Sequence, residues 1–133
     1  MLGFVALVRA IVTFALSSNC LLVQIDRSKT SPLLLLVHVV HQFPLGTWVE
    51  HHAVRSNGKF LVTLLTTPDL FQVDPRGIYE PQLIHSFSEH TSLLDIAVTY
   101  TNTFYVVAAN LSIGIPITAV PGSSSVRHVD MKM

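Results

Sequence analysis

The chain has 133 residues, of which 50% are hydrophobic and only 12% are charged, with eight basic side chains against eight acidic ones. This formal neutrality argues against nucleic acid as a partner, and the hydrophobic content excludes an intrinsically disordered chain. The single cysteine, Cys20, excludes an internal disulfide framework and a cysteine-rich zinc site.

The amino-terminal segment predicts a candidate signal peptide over residues 1–18. Arg9 precedes an apolar run from Ala10 to Leu16, and the small residues Ala15 and Ser17 suit signal peptidase. A retained apolar helix is the alternative. The signal predicts a secreted protein or one of the secretory pathway, and residues 19–36 form a leader without a structural assignment.

No stable membrane span is expected from the later apolar stretch. The run PLLLLVHVV, residues 32–40, is shorter than the roughly 20 residues that a spanning helix needs. Its β-branched end predicts a strand.

The sequence from His41 onward aligns with itself when it is shifted by 44 residues. The shift superposes His41 on His85, Phe43 on Phe87, Ala53 on Ala97, Val54 on Val98, Phe60 on Phe104 and Val62 on Val106. It also places Gly58 on Asn102, two residue types that accept the left-handed conformation of a tight hairpin turn. The pattern indicates two copies of one unit.

The second copy carries an insertion before its third strand. FQVD, residues 71–74, matches RHVD, residues 127–130, only when 12 additional residues are allowed. They fall in NLSIGIPITAVPGSSS, residues 110–125, whose prolines, glycines and serines predict a long surface loop.

Short strands separated by turns, with a period of about 44 residues, predict an all-β fold containing about two blades of a β-propeller over residues 37–133. A small β-sandwich is the alternative. The predicted strands are Glu50–Arg55, Lys59–Leu65, Asp69–Val73, Gln82–Phe87, Leu94–Thr99, Thr103–Ala108 and Val126–Met131. Two blades leave the ring incomplete, so we expect exposed blade faces and self-association through them.

The segment from Gln42 to Gly58 resembles a family of fungal β-propellers found with secondary-metabolite pathways and related in fold to senescence-marker and gluconolactonase propellers. The family pattern is Q-F-P-x-G-T-W-V-E-N-[IL]-A-V-R-x-N-G, and the chain matches it except at His51 and His52, which replace Asn and an aliphatic residue. LIHSFSEHTSLLDIAV, residues 83–98, resembles the opening of the family's next blade.

The resemblance implies a six-bladed ring of which this chain is a truncated part. It implies a protein of fungal natural-product biosynthesis that joins a polyketide quinone methide to a terpene by a hetero-Diels-Alder cyclisation. Lipophilic small molecules are then its substrates, and no cofactor is expected. A fragment of a metal-dependent lactonase and a non-catalytic truncated remnant are the alternatives.

Candidate site residues lie where the predicted inner strands begin. Trp48, Glu50 and Asp95 are expected to bind substrate. His51 or His52 is expected to donate a hydrogen bond to the quinone-methide carbonyl, and at most one of them reaches it because neighbours on a strand point to opposite faces. Glu50 is a metal ligand only in the lactonase alternative, and otherwise no metal site is expected.

Three other features have simpler interpretations. Asn110-Leu111-Ser112 is a sequon that predicts glycosylation of Asn110. The run Gly122–Ser125 lacks the strand-turn-helix setting of a nucleophile elbow, which argues against a serine hydrolase. The predicted core contains the aromatic residues Phe60, Phe71, Phe87, Phe104 and Tyr105.

Overall fold

The computed structural model describes residues 10–16, 19–26 and 36–131, and the side chains from Val37 onward. These residues form strands and no helix, so the all-β prediction is confirmed and none of them supplies an apolar helix able to cross a membrane. The strands are β1 Ala10–Leu16, β2 Asn19–Asp26, β3 Leu36–Gln42, β4 Val49–Val54, β5 Phe60–Leu64, β6 Asp69–Val73, β7 Gln82–Ser86, β8 Ser92–Tyr100, β9 Thr103–Ala109, β10 Leu111–Ser112, β11 Thr118–Ala119 and β12 Ser125–Asp130.

All the strand pairs are antiparallel. The first sheet has the order β1-β2-β3, the second β4-β5-β6-β7 and the third β8-β9-β12. Strands β10 and β11 form a separate hairpin inside the insertion between β9 and β12. The long loop expected there is therefore a short two-stranded element.

Strand pairing repeats between the second and third sheets with the spacing seen in the sequence. Val54 pairs with Phe60 and, 44 residues on, Val98 pairs with Phe104. The third strands follow with the 12-residue insertion included, since Phe60 pairs with Val73 and Phe104 with Val129. The turns match as well, because Gly58 and Asn102 both have positive φ, at 79° and 59°.

The repeated histidines have equivalent surroundings. The His41 ring meets the Phe43 ring edge-on at 4.8 Å, and the His85 ring meets the Phe87 ring edge-on at 4.5 Å. Both phenylalanines are buried. This packing gives both histidines a structural role.

The first sheet repeats the same pattern, which sequence analysis missed. Leu22 pairs with His41 beside a bulge in β3, as Leu70 pairs with His85 beside a bulge in β7. Ala10–Leu16, expected in a signal peptide or a retained helix, forms a strand paired with β2, and β2 itself is the first part of the unassigned leader, Asn19–Asp26. Residues 1–9, 17–18 and 27–35 lie outside the described residues, and the secretory signal stays a prediction.

The core lies on both faces of the second sheet. On one face Phe60, Val62 and Leu64 of β5 pack with Val40 and Phe43 from β3 and its following turn. On the other face, Leu61 and Leu70 pack with residues of the third sheet. The five residues of β5 are therefore all buried, as expected for the second strand of a sheet covered on both sides.

The third sheet leaves one face uncovered. Tyr105 and Val126 occupy the positions that correspond to Leu61 and Leu70 in the second sheet, but they are 40% and 65% exposed whereas the two leucines are fully buried. The interpretation of Tyr105 as a core residue was wrong, because burial at this position needs another sheet against it. Self-association through such faces stays a prediction.

Candidate ligand site between β4 and β8

His51 and Asp95 meet across the junction of the second and third sheets. They stand 44 residues apart at the same position of the repeat, on β4 and β8, which lie side by side. The His51 Nδ1 atom is 3.3 Å from Asp95 Oδ1, and the two side chains are 53% and 61% exposed. Two predicted site residues are thus brought together at a surface that a ligand can reach.

A repeated β-bulge presents these two side chains. The register of β4 shifts between Val49 and His51, and that of β8 shifts between Leu93 and Ile96. Asp95 Oδ1 accepts a hydrogen bond from the backbone N–H of Ile96 at 2.7 Å, which orients the carboxylate. Bulges of this kind redirect side chains and are common next to binding sites.

The hydroxyl of Thr63 holds the two strands in place. Thr63 is fully buried, its Oγ1 accepts the backbone N–H of His51 at 3.1 Å, and it lies 3.2 Å from the carbonyl oxygens of His51 and Leu94. Its single proton can be donated to either carbonyl. Sequence reasoning missed Thr63, whose only signal was one polar residue in the apolar run FLVTLL.

Asp95 determines which nitrogen of His51 faces a ligand. A carboxylate beside Nδ1 favours the proton on that atom and fixes the ring, so Nε2 is the nitrogen through which the ring bonds a ligand. A neutral ring then accepts a hydrogen bond at Nε2, and a protonated ring donates one.

His52 has a packing role. Its ring is half-buried, meets the Phe60 ring at 6.4 Å and lies nearly parallel to the His51 ring at 6.0 Å. Burial lowers the pKa of His52 below its ordinary value, and the neighbouring His51 lowers it further. Of the two predicted candidates, His51 is the one placed at the surface beside a carboxylate.

Acidification is expected to destabilise the fold through His52. Because its pKa in the folded protein is below the ordinary 6.5, the folded state binds this proton less readily than the unfolded chain. The stability that neutral His52 contributes is complete above the pKa of this histidine in the unfolded chain. It is lost as the pH falls through the lower pKa of the folded protein. Burial lowers the pKa of His41 as well, against an opposing attraction from Glu80, so it acts in the same direction.

Urea unfolding midpoints between about pH 8 and pH 5 measure this effect. We expect a level midpoint at the alkaline end and a decline on acidification. The decline should be shallower in His52→Gln, which keeps a polar side chain but removes the titrating ring. An equal decline in the variant would contradict this role for His52.

Trp48 and Glu50 precede His51 in the chain and have different environments. Trp48 is partly exposed, its carbonyl accepts the N–H of Leu65 at 2.8 Å and its N–H donates to Thr66 Oγ1 at 3.3 Å. Glu50 is exposed on β4. Within the described part of the chain, no three His, Cys, Asp or Glu side chains gather as a metal site would require, so Glu50 has no such group around it there.

Arg55, part of the family-like pattern, links the second and third sheets at the opposite end of β4. Its buried guanidinium donates to Gln72 Oε1, to the Met131 carbonyl at 3.1 Å and to Asn102 Oδ1 at 3.5 Å. The role of Arg55 could not be read from the sequence, because its acceptors lie 17, 76 and 47 residues away.

Replacing Arg55 with Met is expected to lower the free energy of unfolding by about 2 to 3 kcal/mol, because one buried and two part-buried acceptors lose a charged donor. Denaturant unfolding measures the loss. Lys59→Met, which removes a half-buried cation from the adjoining turn, is the matched control and should cost less than about 1 kcal/mol. Equal losses in the two variants would show that the Arg55 hydrogen bonds contribute nothing specific.

A second polar cluster connects the start of β12 to the turn before β8. Ser125 Oγ lies 2.9 Å from His90 Nε2, and Arg127 donates to Ser125 Oγ at 3.0 Å and pairs with Glu89 at 2.5 Å. The Arg127 guanidinium also lies 3.3 Å from His90 Nε2 and competes with the serine for that nitrogen. The cluster anchors the return of the insertion to the turn before β8.

Asn110 stands at the junction of β9 and the insertion that contains β10 and β11. Its side chain is half-buried, its N–H donates to Ser123 Oγ at 3.0 Å, and its Oδ1 atom is buried without a hydrogen-bond partner among the described residues. Glycosylation at this asparagine stays a prediction.

Comparisons with known proteins add one relative. No protein-family model matches the chain. Over 76 residues, 53% of this chain, it is 37% identical to a curated protein of Phoma sp. named "Putative hetero-Diels-Alderase", and the chain spans 21% of that protein's length. The similarity supports a distant relationship to a protein named for secondary-metabolite chemistry, and the reaction itself belongs to the proposal that follows.

Proposed function

We propose that the second and third sheets are consecutive blades of a β-propeller, with β4 and β8 as their inner strands and the first sheet as part of a preceding blade. Three observations support this architecture. Strand register and bulges recur from sheet to sheet, the second and third sheets share a core, and the segment from Gln42 to Gly58 resembles a propeller family.

We further propose that the protein belongs to natural-product biosynthesis and assists a hetero-Diels-Alder cyclisation between a quinone methide and a polyene terpene. The observation that carries this proposal is the His51–Asp95 pair, an oriented imidazole at the exposed junction of two sheets. The similarity to the Phoma protein, through its name, favours this reaction over the lactonase alternative.

His51 would act on the oxygen of the quinone methide. In the ring closure, that oxygen and the exocyclic carbon of the heterodiene bond to the two carbons of one alkene, and no atom leaves. A protonated His51 donating through Nε2 to the oxygen stabilises the negative charge that builds there in the transition state. Asp95, on the other nitrogen, holds the ring in the orientation that leaves Nε2 for the ligand.

The remaining contribution is the positioning of two apolar partners. Holding diene and alkene in a near-attack arrangement lowers the barrier without any acid or base. The reactants lose their translational and rotational entropy on binding, so this loss no longer contributes to the barrier of the ring closure. Trp48, partly exposed near the start of β4, offers an apolar surface for this purpose.

Incubation of the full chain with a quinone-methide precursor and humulene tests the proposal. We expect faster formation of the dihydropyran than in buffer, with one stereoisomer enriched. The same rate and the same product ratio as in buffer would overturn the proposed reaction and favour a non-catalytic role.

A further inference from the structure

One edge of β12 has no strand beside it in the part of the chain that the structure describes. β12 is the counterpart of β6, because Val129 pairs with Phe104 as Val73 pairs with Phe60. β6 lies between β5 and β7, whereas among the described strands β12 has a neighbour only in β9. We call the side of residues 125–129 that faces away from β9 the β12 edge. Its backbone N–H and C=O groups are available to another strand.

Two segments of this chain cover the equivalent edges of β2 and β6, and they share a pattern. They are VVHQF, residues 39–43, in and after β3, and LIHSF, residues 83–87, in and after β7. Each histidine pairs with a leucine of the neighbouring strand beside a bulge. Each phenylalanine, two residues later, is buried. Both edges are therefore covered by two aliphatic residues, a histidine, a polar residue and a phenylalanine.

Exposed apolar side chains stand where the phenylalanine of such a segment would pack on the third sheet. In the second sheet, Phe87 lies in one cluster with Leu61 and Leu70. Their counterparts in the third sheet are Tyr105 and Val126, which are both exposed. A segment paired along the β12 edge in the same register therefore places its phenylalanine against these two side chains and removes apolar surface from water.

The β12 edge lacks the usual protection against pairing. Proteins protect exposed edges with lysine, proline or a bulge. SVRHVD, the sequence of β12, contains neither lysine nor proline, and its pairing with β9 has no register shift. Its one cation, Arg127, is held by Glu89 and Ser125. The edge is therefore open to an incoming strand.

We propose that the β12 edge is an interaction surface for an extended segment of a partner protein with the pattern aliphatic-aliphatic-His-polar-Phe. The segment adds an antiparallel strand to the third sheet, with its histidine opposite Val126, as His85 stands opposite Leu70. In strand addition of this kind, backbone hydrogen bonds supply the affinity and side-chain contacts supply the selectivity. The interaction depends on the repeated strand pairing and not on the proposed reaction.

A peptide with the sequence of residues 82–88, QLIHSFS, tests the β12 edge by its binding to the full chain. The peptide carries a fluorescein label, and fluorescence polarisation measures the affinity. The test variant of the protein is Val126→Lys, which places a cation where the phenylalanine of the peptide should pack. The matched control is Val98→Lys, which changes an exposed valine of β8 at the opposite edge of the same sheet. A second peptide carries the change Phe87→Ser.

We expect the QLIHSFS peptide to bind the wild type and Val98→Lys saturably and with the same affinity. Binding should be at least about tenfold weaker for Val126→Lys and for the Phe87→Ser peptide. Amide hydrogen exchange of residues 125–129 should slow when the peptide is bound. No saturable binding by the wild type would overturn the inference. Equal affinities of the wild type and Val126→Lys would also overturn it, and would indicate that the peptide replaces β7 beside β6.

A peptide of the same composition in scrambled order distinguishes selective strand addition from general pairing at an open edge. We expect the scrambled peptide to bind the wild type at least about tenfold more weakly than QLIHSFS. Equal binding of the two peptides would overturn the proposed selectivity, because an edge that accepts any extended chain does not recognise the histidine and the phenylalanine.

Discussion

Phe104→Ala should lower the free energy of unfolding by about 3 to 5 kcal/mol, the range for truncating a buried aromatic residue. Phe104 is fully buried in the cluster between the second and third sheets, where it packs with residues of both. Removal of the Phe104 ring leaves a cavity in this cluster, which holds the two sheets together. For a protein of ordinary stability, this loss is a large share of the total.

Urea unfolding followed by circular dichroism measures the loss. Tyr105→Ala, at the next position of the same strand, is the matched control, because Tyr105 lies on the uncovered face and its truncation should cost about 1 kcal/mol or less. Phe104→Leu keeps most of the volume and remains measurable if the alanine variant does not fold. Equal losses for Phe104→Ala and Tyr105→Ala would contradict the stacking of the two sheets.

The repeat was predictable because strands with two alternating faces leave a local signal. The sequence repeat aligned Phe60 with Phe104 and Val62 with Val106. All four side chains are buried, and the members of each pair have the same register within their sheets, since the same alternation places them on the same face. Gly58 and Asn102 likewise predicted tight turns, because both residue types accept the positive φ found there.

The first sheet was not predictable, because its strand character depends on partners elsewhere in the chain. The run IVTFAL in β1 is apolar enough for a signal peptide, and only pairing with β2, which in turn pairs with β3, makes it part of a sheet. Local composition cannot distinguish a buried strand from a short apolar helix.

The contact between His51 and Asp95 could not be predicted from the sequence, although both residues were selected as candidates. His51 and Asp95 were both selected because they lie near the starts of equivalent strands, yet the sequence does not say that the two strands stand side by side. The structure adds that contact, the bulges and Thr63. It also shows that the two histidines have different roles, because His52 packs on Phe60 whereas His51 lies beside Asp95.

Replacing His51 with leucine is expected to slow the proposed cyclisation by about 100-fold, the usual effect of removing one hydrogen-bond donor from a site of developing negative charge. The variant should stay faster than buffer, because it still brings the two apolar reactants together. His51 is half-exposed, so the substitution should leave the fold intact. The matched control is His128→Leu, which removes an exposed histidine on β12.

The single-turnover rate of ring closure, measured side by side for the wild type, His51→Leu and His128→Leu, tests most directly the claim that the junction of β4 and β8 acts on the ligand. We predict a rate close to that of the wild type for His128→Leu and a rate about 100-fold lower for His51→Leu. Equal rates for all three proteins would contradict the assignment of the His51–Asp95 pair as the functional site.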